Sequence, residues 1–169
     1  MQLTELNQQS PSQLKAELTK CCGSSAWVEK MASLFPFTDK EELFQKAVEV
    51  WNGLDEEGWL EAFQHHPKIG DVKSLQEKFA STAKWASGEQ ASVQQASLET
   101  IEQLAEANQQ YKAKFGYIFI VCATGKSAEE MLEILQSRLP NTPQEEIKIA
   151  AAEQAKITQL RLRKLLDKI

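Results

Sequence analysis

Repeated helix starts constrain this chain more than any other feature. Thr38-Asp39-Lys40-Glu41, Ser74-Leu75-Gln76-Glu77, Ser87-Gly88-Glu89-Gln90, Ser127 to Glu130 and Thr142-Pro143-Gln144-Glu145 each set a hydroxyl three residues before a Glu or Gln. In such a capping box the hydroxyl accepts from the third helical amide, and the Glu or Gln side chain returns to the cap amide. Ser10-Pro11 adds a cap followed by proline at the first helical position, with Leu14 and Leu18 behind it. Ser24 opens a segment carrying Trp27, Val28 and Met31.

Apolar residues follow these starts at helical spacing. Leu43, Phe44, Ala47, Val48 and Trp51 make one stripe. After the turn "NGLDEEG", Trp59, Leu60 and Phe63 make a shorter one. Val93, Leu98, Ile101, Leu104 and Ala105 make a third, and Met131, Leu132 and Leu135 a fourth. A final helix runs through Ile147, Ile149, Ala150, Ile157, Leu160, Leu162 and Leu165. "FGYIFIVCA" alone breaks the pattern, being aromatic and β-branched, too short for a helix and without a strand to pair with. The expectation is an all-α, single-domain bundle over 1–169, of roughly eight helices, with a short buried extended segment near 116–123.

Composition narrows the function classes. A net charge of −5 supplies no general basic surface for nucleic acid. No apolar run approaches the roughly 18 residues of a membrane span. "MQLTELNQQS" lacks the basic and apolar regions of a secretory signal, and "LLDKI" is not a peroxisomal address, so the expected location is cytoplasmic. Cys21, Cys22 and Cys122 read as reduced packing thiols. The tryptophans Trp27, Trp51, Trp59 and Trp85 read as core or pocket wall.

"HHPKIGD", His65 to Asp71, carries both histidines of the chain at a helix break. Proline at 67 disfavours the helical region for His66, so the helix should end near Gln64 or His65. A side chain at such a break can point into a cleft, where an imidazole titrating near pH 6.5 would move protons. The same stretch also reads as a helix-terminating surface loop, and the chain as a non-catalytic interaction module. Adjacent histidines diverge, and no His-x-x-x-His or further cysteine pattern completes a tetrahedral set, so no metal site is expected.

"HPKIGD" at 66–71 resembles the signature of the 2-oxo-4-hydroxy-4-carboxy-5-ureidoimidazoline (OHCU) decarboxylase family. Further stretches resemble that family in order: "CGSSAWVEKM" at 22–31, "GEQ" at 88–90, "NQQYKAKFGYIFIVCATGKS" at 108–127, then "RLPNTPQEE" and "KITQLRL". The resemblance covers nearly the whole chain. It implies an all-α fold without cofactor, decarboxylation of the ureidoimidazoline to (S)-allantoin, and a homodimer among the possible assemblies. It carries over His66 as the catalytic histidine and Glu89 as its partner. Pro67, Gln90, the backbone of Tyr117, Ile118, Phe119, Ile120 and Val121, and Arg161 carry over as substrate contacts. The family's serine three residues before the Glu of its Glu-Gln pair is Ala86 here, with Ser87 beside it. Ser87 reads either as the shifted contact or as a helix cap.

The chemistry is consistent with these residue types. The substrate, as the family chemistry has it, holds a ring C=N beside the carbon bearing hydroxyl and carboxylate. That bond can take the electron pair that pyridoxal or thiamine would otherwise accept. Glu89, in a first helical turn, is favoured as a carboxylate and suits hydrogen-bond acceptance. Arg161 and Arg163 project about 200° apart at roughly 100° per residue, so only one can readily face a given cleft.

Overall fold

The computed structural model describes residues 1–66 and 98–166. Among them lie eight α-helices and no strand. We number them α1 (Leu3–Asn7), α2 (Pro11–Cys21), α3 (Ser25–Leu34), α4 (Lys40–Asn52), α5 (Glu56–Gln64), α6 (Leu98–Phe115), α7 (Ala128–Arg138) and α8 (Pro143–Leu166). The all-α expectation holds. Trp85 and the boxes at Ser74 and Ser87 lie outside the described residues.

The chain forms two compact units. The first comprises Met1–His66, Ile120–Cys122 and Ile147–Ile169, and the second Pro67–Phe119 and Ala123–Glu146.

In the first unit the caps act largely as read. Ser10 and Gln13 exchange both bonds of a capping box at 3.3 and 3.4 Å. Ser24 accepts from the Trp27 amide to start α3. The box expected on Thr38 moves one residue: Asp39 is the cap of α4 and accepts from the Glu42 amide at 2.7 Å. A carboxylate is the stronger acceptor for that amide, and Thr38 turns its hydroxyl to the Glu42 carboxylate at 3.3 Å instead. Asp55 caps α5 through the Gly58 amide.

The core of this unit forms where the apolar stripes meet. Trp27, Leu18, Met31, Leu43 and Phe63 are fully enclosed, each worth roughly 1.5–3 kcal/mol of burial. Every described indole N–H finds a carbonyl: Trp27 donates to Ala47, Trp51 to Ala151 and Trp59 to Trp51. The bond from Trp51 docks α4 on α8, as does the Gln159 amide on the Phe44 carbonyl at 2.8 Å.

α8 departs from expectation in which face it buries. Ile149 and Leu160 are exposed, at 38% and 36%. Within the first unit the buried line runs Ile147, Ala150, Ala151, Gln154, Thr158, Leu162 and Leu166. It therefore carries two polar side chains that apolar periodicity alone passes over.

In the second unit, α6 packs with α7 around Tyr111. Its ring lies against Phe115, Tyr117 and Phe119 at centroid distances of 4.6, 5.8 and 5.4 Å. Its hydroxyl donates to the Glu146 carboxylate, which also takes Arg138 Nε at 2.9 Å and Asn141 Nδ2 at 3.2 Å. The Arg138 guanidinium lies 4.7 Å from the Phe119 ring centroid. Burial first, then the bond to Glu146, push the Tyr111 phenol far above its usual pKa. α6 stops at Gly116, whose φ of 87° is a conformation side chains resist. "YIFIVCA", 117–123, then runs without helix or strand, with Tyr117 and Ile120 buried.

Candidate active site

His66 lies immediately past α5, which ends at Gln64 with His65 as its C-cap. The next residue is proline, which cannot continue the helix. His65 and His66 part at this point. His65 is exposed, and its side chain lies over Gly23 so closely that a Cβ added there would sit 2.4 Å from the His65 Cβ. The glycine of "CGSS" is therefore the floor on which the histidine turn rests. Glu61, one turn back on α5, holds the other side of that segment by accepting from the Ser25 amide at 2.8 Å and hydroxyl at 2.7 Å. Those two bonds hold the Glu61 carboxyl below its usual range.

His66 is half-buried and turns to α8, where Nε2 meets the Gln154 side-chain oxygen. Gln154 is 1% exposed, and its amide nitrogen donates to the Thr158 hydroxyl at 3.0 Å. Thr158 in turn bonds the Cys22 thiol, which also receives the Ser24 backbone N–H. Buried polar groups need such partners, and here each of these satisfies the next. Burial lowers the His66 pKa, only partly opposed by the Gln154 bond, and the charges of Arg161 and His65 lower it further. The imidazole is thus held neutral at neutral pH.

Arg161, half-buried on α8, donates to the Cys21 carbonyl at 3.4 Å. Arg163 instead lies over the exterior face of Phe44, 4.5 Å from its ring centroid. The two arginines diverge as their spacing predicts, and Arg161 is the one whose charge reaches His66. Cys21 and Cys22 are buried and their thiols are pushed up to about 11, chiefly by burial. Neutral thiols of this kind pack rather than react.

Ile120 and Val121 belong to the same unit as His66 and Arg161. The next residue, Cys122, donates its amide to Glu153 at 3.1 Å, one position before Gln154 on α8. Tyr117, Ile118 and Phe119 fall in the second unit, where Tyr117 and Phe119 turn their rings onto Tyr111. Pro67, Ser87, Glu89 and Gln90 lie outside the described residues. Reading the sequence missed Gln154, Thr158 and Gly23. The signal was present for the first two: they occupy consecutive turns of the α8 line that otherwise carries Ile147, Ala150, Ala151 and Leu162.

The family model for OHCU decarboxylase matches residues 7–163. The chain belongs to the OHCU decarboxylase family. It is 40% identical over 148 residues to the uric acid degradation bifunctional protein TTL of Arabidopsis thaliana, covering 87% of this chain and 45% of that protein. It is 32% identical over 139 residues to the 2-oxo-4-hydroxy-4-carboxy-5-ureidoimidazoline decarboxylase of Amia calva, covering 78% of this chain and 75% of that one. A crystal structure of OHCU decarboxylase in the presence of (S)-allantoin superposes with a TM-score of 0.73 at 40% identity. That match covers 90% of this chain and 98% of the other. The chain spans less than half the length of the bifunctional relatives, 45% of the plant protein and 32% of one from Bacillus. Among the described residues, no helix of this OHCU decarboxylase family member is long and apolar enough to cross a membrane.

Proposed function

We propose that this chain is a carboxy-lyase. It converts 2-oxo-4-hydroxy-4-carboxy-5-ureidoimidazoline to (S)-allantoin and carbon dioxide in uric acid degradation, acting over 1–169 as one OHCU decarboxylase-like domain. One observation carries the reading. His66, just past α5, is drawn onto α8 and comes under the charge of Arg161, so two of the side chains the resemblance assigns to the site, the catalytic histidine and a substrate contact, lie in one neighbourhood.

In the reaction, the bond between the ring carbon and its carboxylate breaks and carbon dioxide leaves. The electron pair forms a ring C=C bond, and the former C=N pair moves to nitrogen. The hydroxyl proton and one proton from solvent end on that nitrogen and on the neighbouring carbon, so the hydroxyl becomes a carbonyl. A neutral His66 accepts the hydroxyl proton as charge redistributes. Arg161 holds a substrate oxygen through its planar fork. Glu89 orients His66 or the ureido N–H groups, with Pro67, Ser87, Gln90 and the Tyr117 to Val121 backbone as further contacts. For Pro67, Ser87, Glu89 and Gln90 the support is the resemblance alone. The substrate's own C=N serves as electron sink, so no cofactor enters. We further propose a cytoplasmic location and a homodimer.

The test follows the handedness of allantoin formed when the protein is added to freshly generated ureidoimidazoline. Wild type should give one hand at an accelerated rate. His66→Ala should give racemate at the spontaneous rate with its helical signal and melting retained. Racemate from wild type would leave a non-catalytic helical module as the reading.

A further inference from the structure

The proton-handling reading leaves open which imidazole nitrogen acts. Nε2 of His66 is committed to Gln154. Nδ1 has no protein partner among the described residues. Behind Gln154, its amide nitrogen donates to the Thr158 hydroxyl at 3.0 Å, and Thr158 bonds the Cys22 sulfur. The Ser24 backbone N–H, a donor that cannot reverse, also ends on that sulfur. Thr158 takes the Gln154 amide nitrogen, so Gln154 presents its oxygen, an acceptor only, to His66.

We propose that Gln154 is a positioning residue that fixes His66 as its Nε2–H tautomer, making Nδ1 the atom that takes the substrate hydroxyl proton. The inference rests on the decarboxylase reading above for the identity of the proton, but not for the tautomer. A carboxamide orients the ring as a carboxylate would. Unlike a carboxylate, it adds no charge to favour imidazolium, so the ring stays a neutral base. Among the described residues, the groups whose charge bears on His66 are Arg161 from α8 and the neighbouring His65. Cys22 lies behind Thr158, and Glu61 of α5 acts on His65. Among the described residues none places a carboxylate on the ring.

Nitrogen-15 NMR of the His66 ring in the full chain decides the tautomer without any turnover. The expected spectrum at neutral pH shows Nε2 protonated and Nδ1 bare. A protonated Nδ1 would overturn the proposal. Gln154→Glu, equal in shape, should raise the His66 titration midpoint and carry the acid limb of the kcat profile to higher pH with it. Gln154→Leu should mix the tautomers and lower kcat by up to about 10²-fold, with KM changed far less. Thr158→Val, which removes only the outer link, should move the ring shifts in the same direction by less. An unchanged midpoint in Gln154→Glu would also overturn the proposal. If wild type fails to accelerate conversion while the ring is Nε2-protonated, the decarboxylase reading fails and the role of Gln154 in setting the tautomer stands.

Discussion

At the scale of single residues, the two adjacent histidines divide their work. His65 supplies a backbone cap and leans on Gly23, while His66 reaches α8. This makes Gly23 more demanding than its place in a short turn suggests. A methyl group there would meet the His65 Cβ at 2.4 Å and Cγ at 2.5 Å, and neither atom is the free end of a flexible chain. Gly23→Ala should therefore cost about 1–3 kcal/mol, read as a lowered melting temperature, and should displace the His66 ring resonances. An unshifted His66 signal would show that the turn absorbs the methyl without passing it on. The divergence of Arg161 from Arg163 was legible from helical spacing. The bond from His66 to Gln154 was not, because a single Gln in an amphipathic helix looks solvated until the helix's neighbours are known.

At the scale of elements, capping explains where most helices begin. The shift at α4 follows from acceptor strength, because Asp39 outcompetes Thr38 for the free amide. Asp39→Ala should cost about 1 kcal/mol, whereas Thr38→Ala should stay within roughly 0.5 kcal/mol, both from denaturant midpoints. Equal losses would mean the two side chains share the cap. The α7–α8 connection is held more strongly. Arg138 and Glu146 are buried at 7% and 0% exposure of their side chains, with Tyr111 and Asn141 on the same carboxylate. Removing one charge of such a pair strands the other, so Glu146→Gln should cost about 3–5 kcal/mol in urea unfolding. A loss near zero would mean Arg138 finds compensation elsewhere. Glu146 follows directly on the box Thr142–Glu145, which forms with bonds of 3.2 Å in each direction. The sequence shows that cap plainly but says nothing of Arg138 arriving from the preceding helix.

At the scale of the whole molecule, the neutral state of His66 couples stability to pH. Its folded pKa lies below its unfolded value, mainly through burial. Below about pH 6.5 the unfolded chain therefore binds more protons than the folded one. Its contribution to stability is complete above that range, declines as pH falls through it, and levels off below the lowered folded value. His66→Gln should flatten this part of the stability profile measured by denaturant midpoints from pH 7.5 downward. An unaltered slope would assign the acid sensitivity to other groups. The same neutrality should keep wild-type turnover active at a pH where an unperturbed histidine is already half protonated.

The helix starts at Ser10, Ser24, Ser127 and Thr142, the all-α class and the extended segment after Gly116 were readable from the sequence, because caps, periodicity and β-branching act over a few neighbouring residues. Family membership was readable for a related reason: a motif order along the chain survives without coordinates. Which face α8 buries was decided only by tertiary structure. Apolar count favoured Ile149 and Leu160, yet the helix turns Gln154 and Thr158 inward. A buried polar side chain is stable only when specific partners meet it. Those partners, His66 from α5 and Cys22 after α2, come from distant parts of the chain, so only the packed fold could supply them.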